Sequence, residues 1–211
     1  MQSEIPLLDE GSRRAEVGAV GAGQGRTEKH LPGELGIWMF ILGDMLVFGM
    51  FFIVFMHYRA LDMAVFLQSQ ATLNLHLGAI NTLLLLTSSW FVVRGVQSAR
   101  TDPTRPVGRW FALAFLCGAG FGVIKIFEYG EKIGAGITLT TNDFYMYYFV
   151  FTGIHFMHVL IGMGILFYMW IRTRAAVTGK GDIAMLESGA TFWHLVDLLW
   201  IVLFPLLYLI K

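Results

Sequence analysis

Apolar stretches of twenty or more residues recur along this sequence, separated by short polar segments. An α-helix needs about twenty such residues to cross the roughly 30 Å hydrocarbon core of a bilayer. With 56% hydrophobic and 14% charged residues, the 211-residue chain is too apolar for an ordinary water-soluble domain. A transmembrane β-barrel would instead show weakly alternating segments of about ten residues. The sequence therefore predicts an all-α, polytopic membrane protein with a bundle of five transmembrane helices.

The spans follow a polar N-terminal region. Residues 1–30 are rich in glycine, alanine and charged residues and have no apolar period, which predicts a disordered cytoplasmic tail. The remainder, 31–211, forms the predicted transmembrane domain. Its spans are expected at about 34–57, 73–95, 107–129, 144–171 and 188–210.

The basic residues predict the orientation of the bundle. Eleven of them fall on one side of the predicted spans and four on the other. Cytoplasmic loops carry the excess of lysine and arginine, so the N-terminus is predicted to be cytoplasmic and the C-terminus outside. The eleven are Arg13, Arg14, Arg26, Lys29, Arg94, Arg100, Arg105, Arg109, Arg172, Arg174 and Lys180; the four are Arg59, Lys125, Lys132 and Lys211.

Ionisable side chains recur near the middle of three spans. His194 and Asp197 lie three residues apart on one face of the last span. Counting about 1.5 Å per residue places them at a depth similar to that of Asp44 in the first span and of His155 and His158 in the fourth. Ionisable groups in lipid are costly and face protein, water or each other. The sequence predicts one central polar layer.

This layer has more than one interpretation. His155, His158 and His194 are candidate ligands for haem or another metal, because imidazole is a common ligand for both. The interpretation preferred here is a polar network between helices in which His194 and Asp197 neutralise each other. Asp44 is also a candidate proton-relay carboxylate of a small transporter, although no ladder of such groups crosses the membrane.

Lys125 and Glu128 lie near the outer end of the third span. Their i,i+3 spacing allows an ion pair on one helix face, and Lys125 can extend outward to the membrane surface. A solvated helix end is the preferred interpretation, and a contact with a lipid headgroup or a partner is the alternative.

Glycines in the third and fourth spans indicate close approach between helix backbones. These residues are Gly118, Gly120, Gly122, Gly162 and Gly164.

Several functional classes have no support. The formal net charge is zero, so no basic surface suggests nucleic acid binding. The single cysteine, Cys117, excludes an internal disulfide and any site that needs two thiolates of this chain. Phosphate-loop, Ser–His–Asp and HExxH motifs are missing, so the sequence gives little support for catalysis by this chain alone.

Four motifs resemble, in order, the helices of subunit III of the haem–copper oxidases. They are GDM at 43–45, NTLLLL at 81–86, GIHFMHV at 153–159 and FWHLVD at 192–197. The resemblance covers about residues 34–210. It is closest to the short, five-helix form found in quinol oxidases, which lacks the two N-terminal helices of the seven-helix form and the lipid-binding cleft they enclose.

Three segments resemble one branch of that family, the NorE-type proteins associated with nitric oxide reductase in denitrifying bacteria. They are HLPGE at 30–34, GITLTTND at 136–143 and LESGAT at 186–191. The resemblance therefore favours a subunit associated with nitric oxide reductase, with subunit III of a terminal cytochrome c or quinol oxidase as the alternative. A free-standing membrane cytochrome or quinone oxidoreductase using the histidines is a more distant alternative.

The resemblance implies a non-catalytic accessory subunit of a respiratory electron-transport complex in the bacterial cytoplasmic (inner) membrane. It implies no haem or copper in this chain, a catalytic subunit as partner, and contacts with membrane lipids that include a bound phospholipid. The matching positions, expected to contact partner or lipid or to form the polar layer, are Asp44, His155, His158, Glu187, His194 and Asp197.

Overall fold

The structure, a computed structural model, describes residues 35–102, 106–174 and 179–210, and every regular element within them is a helix. The helices are α1 (Leu35–Leu61), α2 (Met63–Gln70), α3 (Leu75–Thr101), α4 (Gly108–Gly134), α5 (Asp143–Arg172) and α6 (Lys180–Phe204), followed by a π-helical turn, Pro205–Leu209. Five of these helices, all except the short α2, are long and apolar enough to cross a membrane. The predicted all-α fold with five spans is confirmed. The predicted tail, 1–30, lies outside the described residues.

The helices extend beyond the apolar stretches that predicted them. Helix α3 continues to Thr101 rather than residue 95, and α6 begins at Lys180 rather than residue 188. Hydropathy marks only the part of a helix that crosses hydrocarbon, whereas backbone hydrogen bonding continues into the interfacial region. Glu187 therefore lies inside a helix instead of at its start. The sequence analysis also missed α2, whose eight residues are too few to span a bilayer.

Two asparagines fix the starts of long helices. The side chain of Asn74 accepts hydrogen bonds from the backbone N–H groups of His76 and Leu77 at the start of α3. At the start of α5, Asn142 Oδ1 accepts from Tyr145 N at 3.0 Å while its Nδ2 donates to Ser69 Oγ at 2.8 Å. The contacts of both side-chain oxygens are N-caps, which satisfy backbone donors that have no partner inside the helix. The contact between Asn142 and Ser69 also attaches α2 to α5.

Helix α6 is the central element of the bundle. In its most apolar stretch 61% of the residues are buried within the protein, against 11% for α1. Helices α3 and α5 both pack against α6, and α4 packs between α3 and α5. The indoles of Trp193 and Trp200 are completely enclosed by these neighbours.

Helix α1 packs at the edge of the bundle through aromatic side chains. Phe55 has ring centroids of Phe66, Tyr147 and Phe151 within 5.7 Å. The remaining face of α1 is apolar and exposed, and Ile53 is 72% exposed. In a membrane-spanning helix such a face suits lipid or another apolar surface.

Trp193 occupies a slot made by two glycines of neighbouring helices. A Cβ atom at Gly162 of α5 would lie 2.6 Å from the indole, and one at Gly118 of α4 would lie 3.0 Å from it. The packing role predicted for glycine is confirmed at these two positions. It is wrong at Gly164, where an added Cβ would meet nothing within 4 Å, because that residue faces away from the neighbouring helices.

We expect Gly162→Ala to lower the free energy of unfolding by about 1–3 kcal/mol, the usual cost of overpacking a well-filled core. The matched control is Gly164→Ala, two residues along the same helix, which should change stability by less than about 1 kcal/mol because helix propensity favours alanine and the space is open. Thermal unfolding of the purified variants in detergent measures both. Equal effects of the two substitutions would contradict the slot.

Candidate functional site

Asp44 and His158 form a polar pair between α1 and α5. His158 Nε2 lies 3.4 Å from Asp44 Oδ1, and both side chains are largely buried. His158 Nδ1 lies 2.9 Å from the carbonyl oxygen of Ile154, one turn earlier. Because a carbonyl can only accept, Nδ1 carries a proton, and the second ring nitrogen is the one that faces the acid. The geometry therefore directs Nε2 of the ring at the Asp44 carboxyl group and ties α5 to α1.

A second polar contact joins α3 to α6. Ser89 Oγ and His194 Nδ1 lie 2.5 Å apart in a hydrogen bond, and Asp197 Oδ2 lies 3.8 Å from the same ring nitrogen. The distance to Asp197 exceeds that of a hydrogen bond, so Ser89 is the residue that contacts Nδ1 directly. The sequence analysis placed His194 and Asp197 together but did not identify Ser89, whose small side chain reads as a packing residue.

His155 belongs to neither pair. Its ring is fully buried, and neither ring nitrogen has a hydrogen-bond partner among the described residues. It lies between the rings of Phe121, 5.6 Å away and edge-on, and Trp200, 5.2 Å away and tilted by 30°. The expectation that the central histidines join one polar network is therefore wrong for His155, because α4 and α6 enclose it with aromatic rings.

The three histidines do not share one set of donors. His158 faces α1, His194 faces α3, and His155 is enclosed by aromatic rings. Across residues 35–102, 106–174 and 179–210, no group of three His, Cys, Asp or Glu side chains is placed to hold a metal ion. The three histidines lie at a similar predicted depth, but they are on helix faces that point to different neighbours.

Glu187 is bound by an arginine of α3. Arg100 Nη2 and Nε lie 2.7 Å and 3.0 Å from the same oxygen, Glu187 Oε1. The carboxylate is buried whereas the guanidinium is half exposed, so the pair spans the boundary of the bundle. Beside it, His194 and Arg100 line an open pocket of about 280 Å³ between α3 and α6. Sequence reasoning used Arg100 only to predict orientation, since nothing local in the sequence points to Glu187.

Lys125 and Glu128 lie inside the bundle, 2.9 Å apart, and their side chains are only 1% and 3% exposed. The preferred interpretation of this pair as a solvated, outer-face helix end is therefore wrong. Tyr208 OH donates to Glu128 Oε1 at 2.6 Å and accepts from Lys125 Nζ at 3.1 Å, while Tyr148 OH donates to the same carboxylate oxygen at 2.9 Å. We call these four residues the Lys125 cluster.

Aromatic rings enclose the ammonium group of the Lys125 cluster. Lys125 Nζ lies 4.9 Å from the centroid of the Trp200 ring and between 5.4 Å and 6.0 Å from the rings of Tyr129, Tyr148 and Tyr208. These rings provide cation–π contacts in addition to the ion pair. Lys125 does not extend outward because Tyr148 of α5 and Tyr208 of the C-terminal turn contact its ammonium group inside the bundle. Tyr148 and Tyr208 are distant from Lys125 in sequence, so no local pattern predicts these contacts.

We expect Lys125→Met to lower the free energy of unfolding by about 3–5 kcal/mol, because it leaves the Glu128 carboxylate buried without its cation. The double variant Lys125→Met/Glu128→Gln should lose much less than the sum of the single changes. Arg172→Gln is the control, since Arg172 and Asp182 form a pair at 3.0 Å that is largely exposed and is worth about 1 kcal/mol or less. Additive single effects in a thermal unfolding cycle would contradict the buried pair.

We expect His155→Phe to leave stability unchanged or to raise it by up to about 3 kcal/mol, because it keeps the ring contacts and removes buried polar atoms without partners. His155→Ala should instead lower it by about 3 kcal/mol or more, through the cavity it creates. Thermal unfolding in detergent compares the two. Equal losses would show that the ring nitrogens of His155 make a polar contact that matters.

Five long apolar helices, joined by polar contacts buried between them, define this chain as a polytopic helical membrane protein. A family model described as cytochrome c oxidase subunit III matches residues 19–211, and the chain belongs to that family. The resemblance to subunit III of the haem–copper oxidases is thereby confirmed.

Relatives in three bacteria match most of the chain. Cytochrome c oxidase subunit 3 of Thermostichus vulcanus is 30% identical over 177 residues, which are 83% of this chain and 86% of the relative. The protein of the same name from Bacillus sp. strain PS3 is 25% identical, covering 83% and 84%. The probable quinol oxidase subunit 3 of Staphylococcus haemolyticus is 24% identical, covering 88% and 92%. The association with nitric oxide reductase stays a prediction.

Proposed function

We propose that this chain is the accessory subunit III of a terminal haem–copper oxidase, which takes electrons from cytochrome c or from a quinol, in a bacterial cytoplasmic membrane. The observation that carries the proposal is the family match over residues 19–211. Relatives named as subunit 3 of cytochrome c and quinol oxidases also match over more than four fifths of both chains. The alternative of the sequence analysis thus has the better support.

We propose further that the chain is non-catalytic and carries no haem or copper of its own. The described arrangement of its histidines supports this. Both ring nitrogens of His158 and Nδ1 of His194 are directed at groups of this chain, namely Ile154, Asp44 and Ser89. His155 is enclosed by aromatic rings. A haem ligand needs an imidazole nitrogen with open space for a porphyrin in front of it.

The role that follows is mechanical support of a catalytic subunit within the membrane. Polar contacts hold α1 to α5 and α3 to α6, while the Lys125 cluster holds the C-terminal turn to α4 and α5. Helices joined in this way present a fixed apolar surface to a partner. Of the five described spans, α1 has the smallest share of residues buried within the chain. We expect the catalytic subunit and membrane lipids to share these outer faces.

A second candidate is the NorE-type subunit associated with nitric oxide reductase. The segments 30–34, 136–143 and 186–191 favour it through their resemblance to that branch. Both candidates share the fold and the accessory role, and they differ in the catalytic subunit that binds.

Co-purification separates the candidates. The full-length tagged chain, expressed in its native host and extracted with mild detergent, should bring with it a haem-containing core that reduces oxygen. The expected visible spectrum belongs to the core and disappears when a stringent wash releases it, leaving a colourless tagged chain. An unrelated tagged five-helix membrane protein serves as the control for non-specific capture.

Three other outcomes of the co-purification would contradict the proposal. Recovery of a core that reduces nitric oxide would establish the second candidate in place of the first. A tagged chain that stays coloured after the core is removed, and loses its colour in His155→Ala or His194→Ala, would show that the chain is itself a cytochrome. A colourless chain without any haem-containing core would contradict the accessory role.

A further inference from the structure

A basic and aromatic pocket lies at one end of the bundle, apart from the polar clusters described above. It is open, has a volume of about 380 Å³, and is formed by the end of α3 and the start of α4. The distribution of basic residues predicts that this end faces the cytoplasm. Its lining residues are Arg94, Gln97, Ser98, Thr101, Arg109 and Trp110.

Two guanidinium groups from different helices converge on one ring in this pocket. The Cζ atoms of Arg94 and Arg109 lie 5.8 Å and 5.2 Å from the centroid of Trp110, and Arg94 also lies 5.9 Å from the centroid of Trp90. Cation–π attraction holds each guanidinium near the indoles, yet the two like charges repel each other. A bound anion between them would remove that cost.

The protein does not supply this anion from the part that is described. The acidic side chains Glu187 and Asp182 pair with Arg100 and Arg172, and no described carboxylate pairs with Arg94 or Arg109. Among the described residues, the two positive charges of the pocket therefore have no carboxylate that pairs with them. This distinguishes it from the Lys125 cluster, where the cation and the carboxylate come from the same helix.

Close packing of α3 and α4 places the two arginines together. A Cβ atom at Gly95 would lie 2.8 Å from the ring of Phe111, so only glycine lets the two helices approach this closely. Arg94 and Arg109 each lie within two positions of that contact. Polar side chains of Gln97, Ser98 and Thr101 complete the lining. The Thr101 hydroxyl donates to the carbonyl oxygen of Gln97, so Gln97 and Ser98 are the ones that can donate to a ligand.

We infer that this pocket binds the phosphate of an anionic phospholipid headgroup in the cytoplasmic leaflet. The planar guanidinium group of arginine can donate two parallel hydrogen bonds to the oxygens of a phosphate. A pocket with two arginines and no described carboxylate therefore favours phosphate as its ligand. Tryptophan side chains such as Trp90 and Trp110 reside at the membrane–water interface, where headgroups lie. A lipid supplies the phosphate at that depth and at high local concentration, and anionic lipids are attracted to juxtamembrane arginines. The inference does not depend on which catalytic subunit the chain binds.

Lipid binding to the full-length chain tests this site. The purified chain in mild detergent is titrated with phosphatidylglycerol or with zwitterionic phosphatidylcholine, and bound lipid is counted by native mass spectrometry. We expect the wild-type chain to bind phosphatidylglycerol at least about tenfold more tightly than phosphatidylcholine. Both lipids carry the phosphate, but the choline ammonium of phosphatidylcholine offsets its charge and is repelled by the two guanidinium groups. Arg94→Gln/Arg109→Gln should lose this preference.

The matched control is Arg174→Gln. Arg174 Cζ lies 4.8 Å from the centroid of Trp170, in an arginine–tryptophan pair predicted on the same side of the membrane but outside the pocket. This variant should keep the preference. The variant Arg94→Lys/Arg109→Lys retains both charges without the planar guanidinium groups and should bind phosphatidylglycerol with intermediate affinity. If the glutamine variant does not fold, this lysine variant still tests the site.

Three results would overturn the inference. The first is equal binding of the two lipids by the wild-type chain, and the second is an equal loss of preference in Arg174→Gln. The third concerns the source of the phosphate: millimolar inorganic phosphate that protects the chain from heat, with no further effect of phosphatidylglycerol, would show that the ligand is a soluble anion.

Discussion

The insertion of Trp193 between two glycines is the contact on which the rest of the bundle depends. The indole of α6 fills the space that Gly118 of α4 and Gly162 of α5 leave open. Lipid tails are as apolar as the side chains they would replace, so helices in a membrane associate through close packing and polar contacts rather than through exclusion of water. A large, fully enclosed side chain that meets two backbones at once supplies that packing. It also places α6 at the centre, with its polar side chains directed at defined neighbours.

Polar groups in this bundle act in separate pairs and clusters. Asp44 with His158, Ser89 with His194, and Arg100 with Glu187 each join two helices, while the Lys125 cluster joins α4, α5 and the C-terminal turn. An isolated charge in a medium of low dielectric constant is costly, so the ionisable groups of these contacts are placed opposite one another. Such contacts specify which helix faces meet. This is the property expected of a supporting subunit whose outer surface must keep one shape.

The two ends of the bundle differ in how they treat positive charge. At one end, Lys125 is enclosed with its own carboxylate and four aromatic rings. At the other, Arg94 and Arg109 stand over Trp110 in an open pocket without a described carboxylate. A closed cluster is satisfied within the chain, whereas an open one is suited to an external anion. Basic side chains beside aromatic rings thus serve internal packing at one end, and at the other they leave a site open to the anion inferred above.

The sequence by itself determined the fold class, the five spans, the family and the burial of a few ionisable residues, among them His155, His158 and Asp197. These follow from helix length against membrane thickness, from the cost of ionisable groups in lipid, and from motifs that keep their order along the chain. It did not determine the helix ends, because the hydropathy decreases before the helix ends, and it did not predict α2.

Only the tertiary structure decided the partners. Periodicity placed Lys125 and Glu128 on one helix face but could not show whether that face meets solvent or Tyr208, more than a whole helix away in sequence. It likewise could not separate His155, enclosed by rings, from His158, which faces Asp44. Rotation of each helix about its axis is set by packing such as that of Trp193, and this rotation chooses the partner of every polar group.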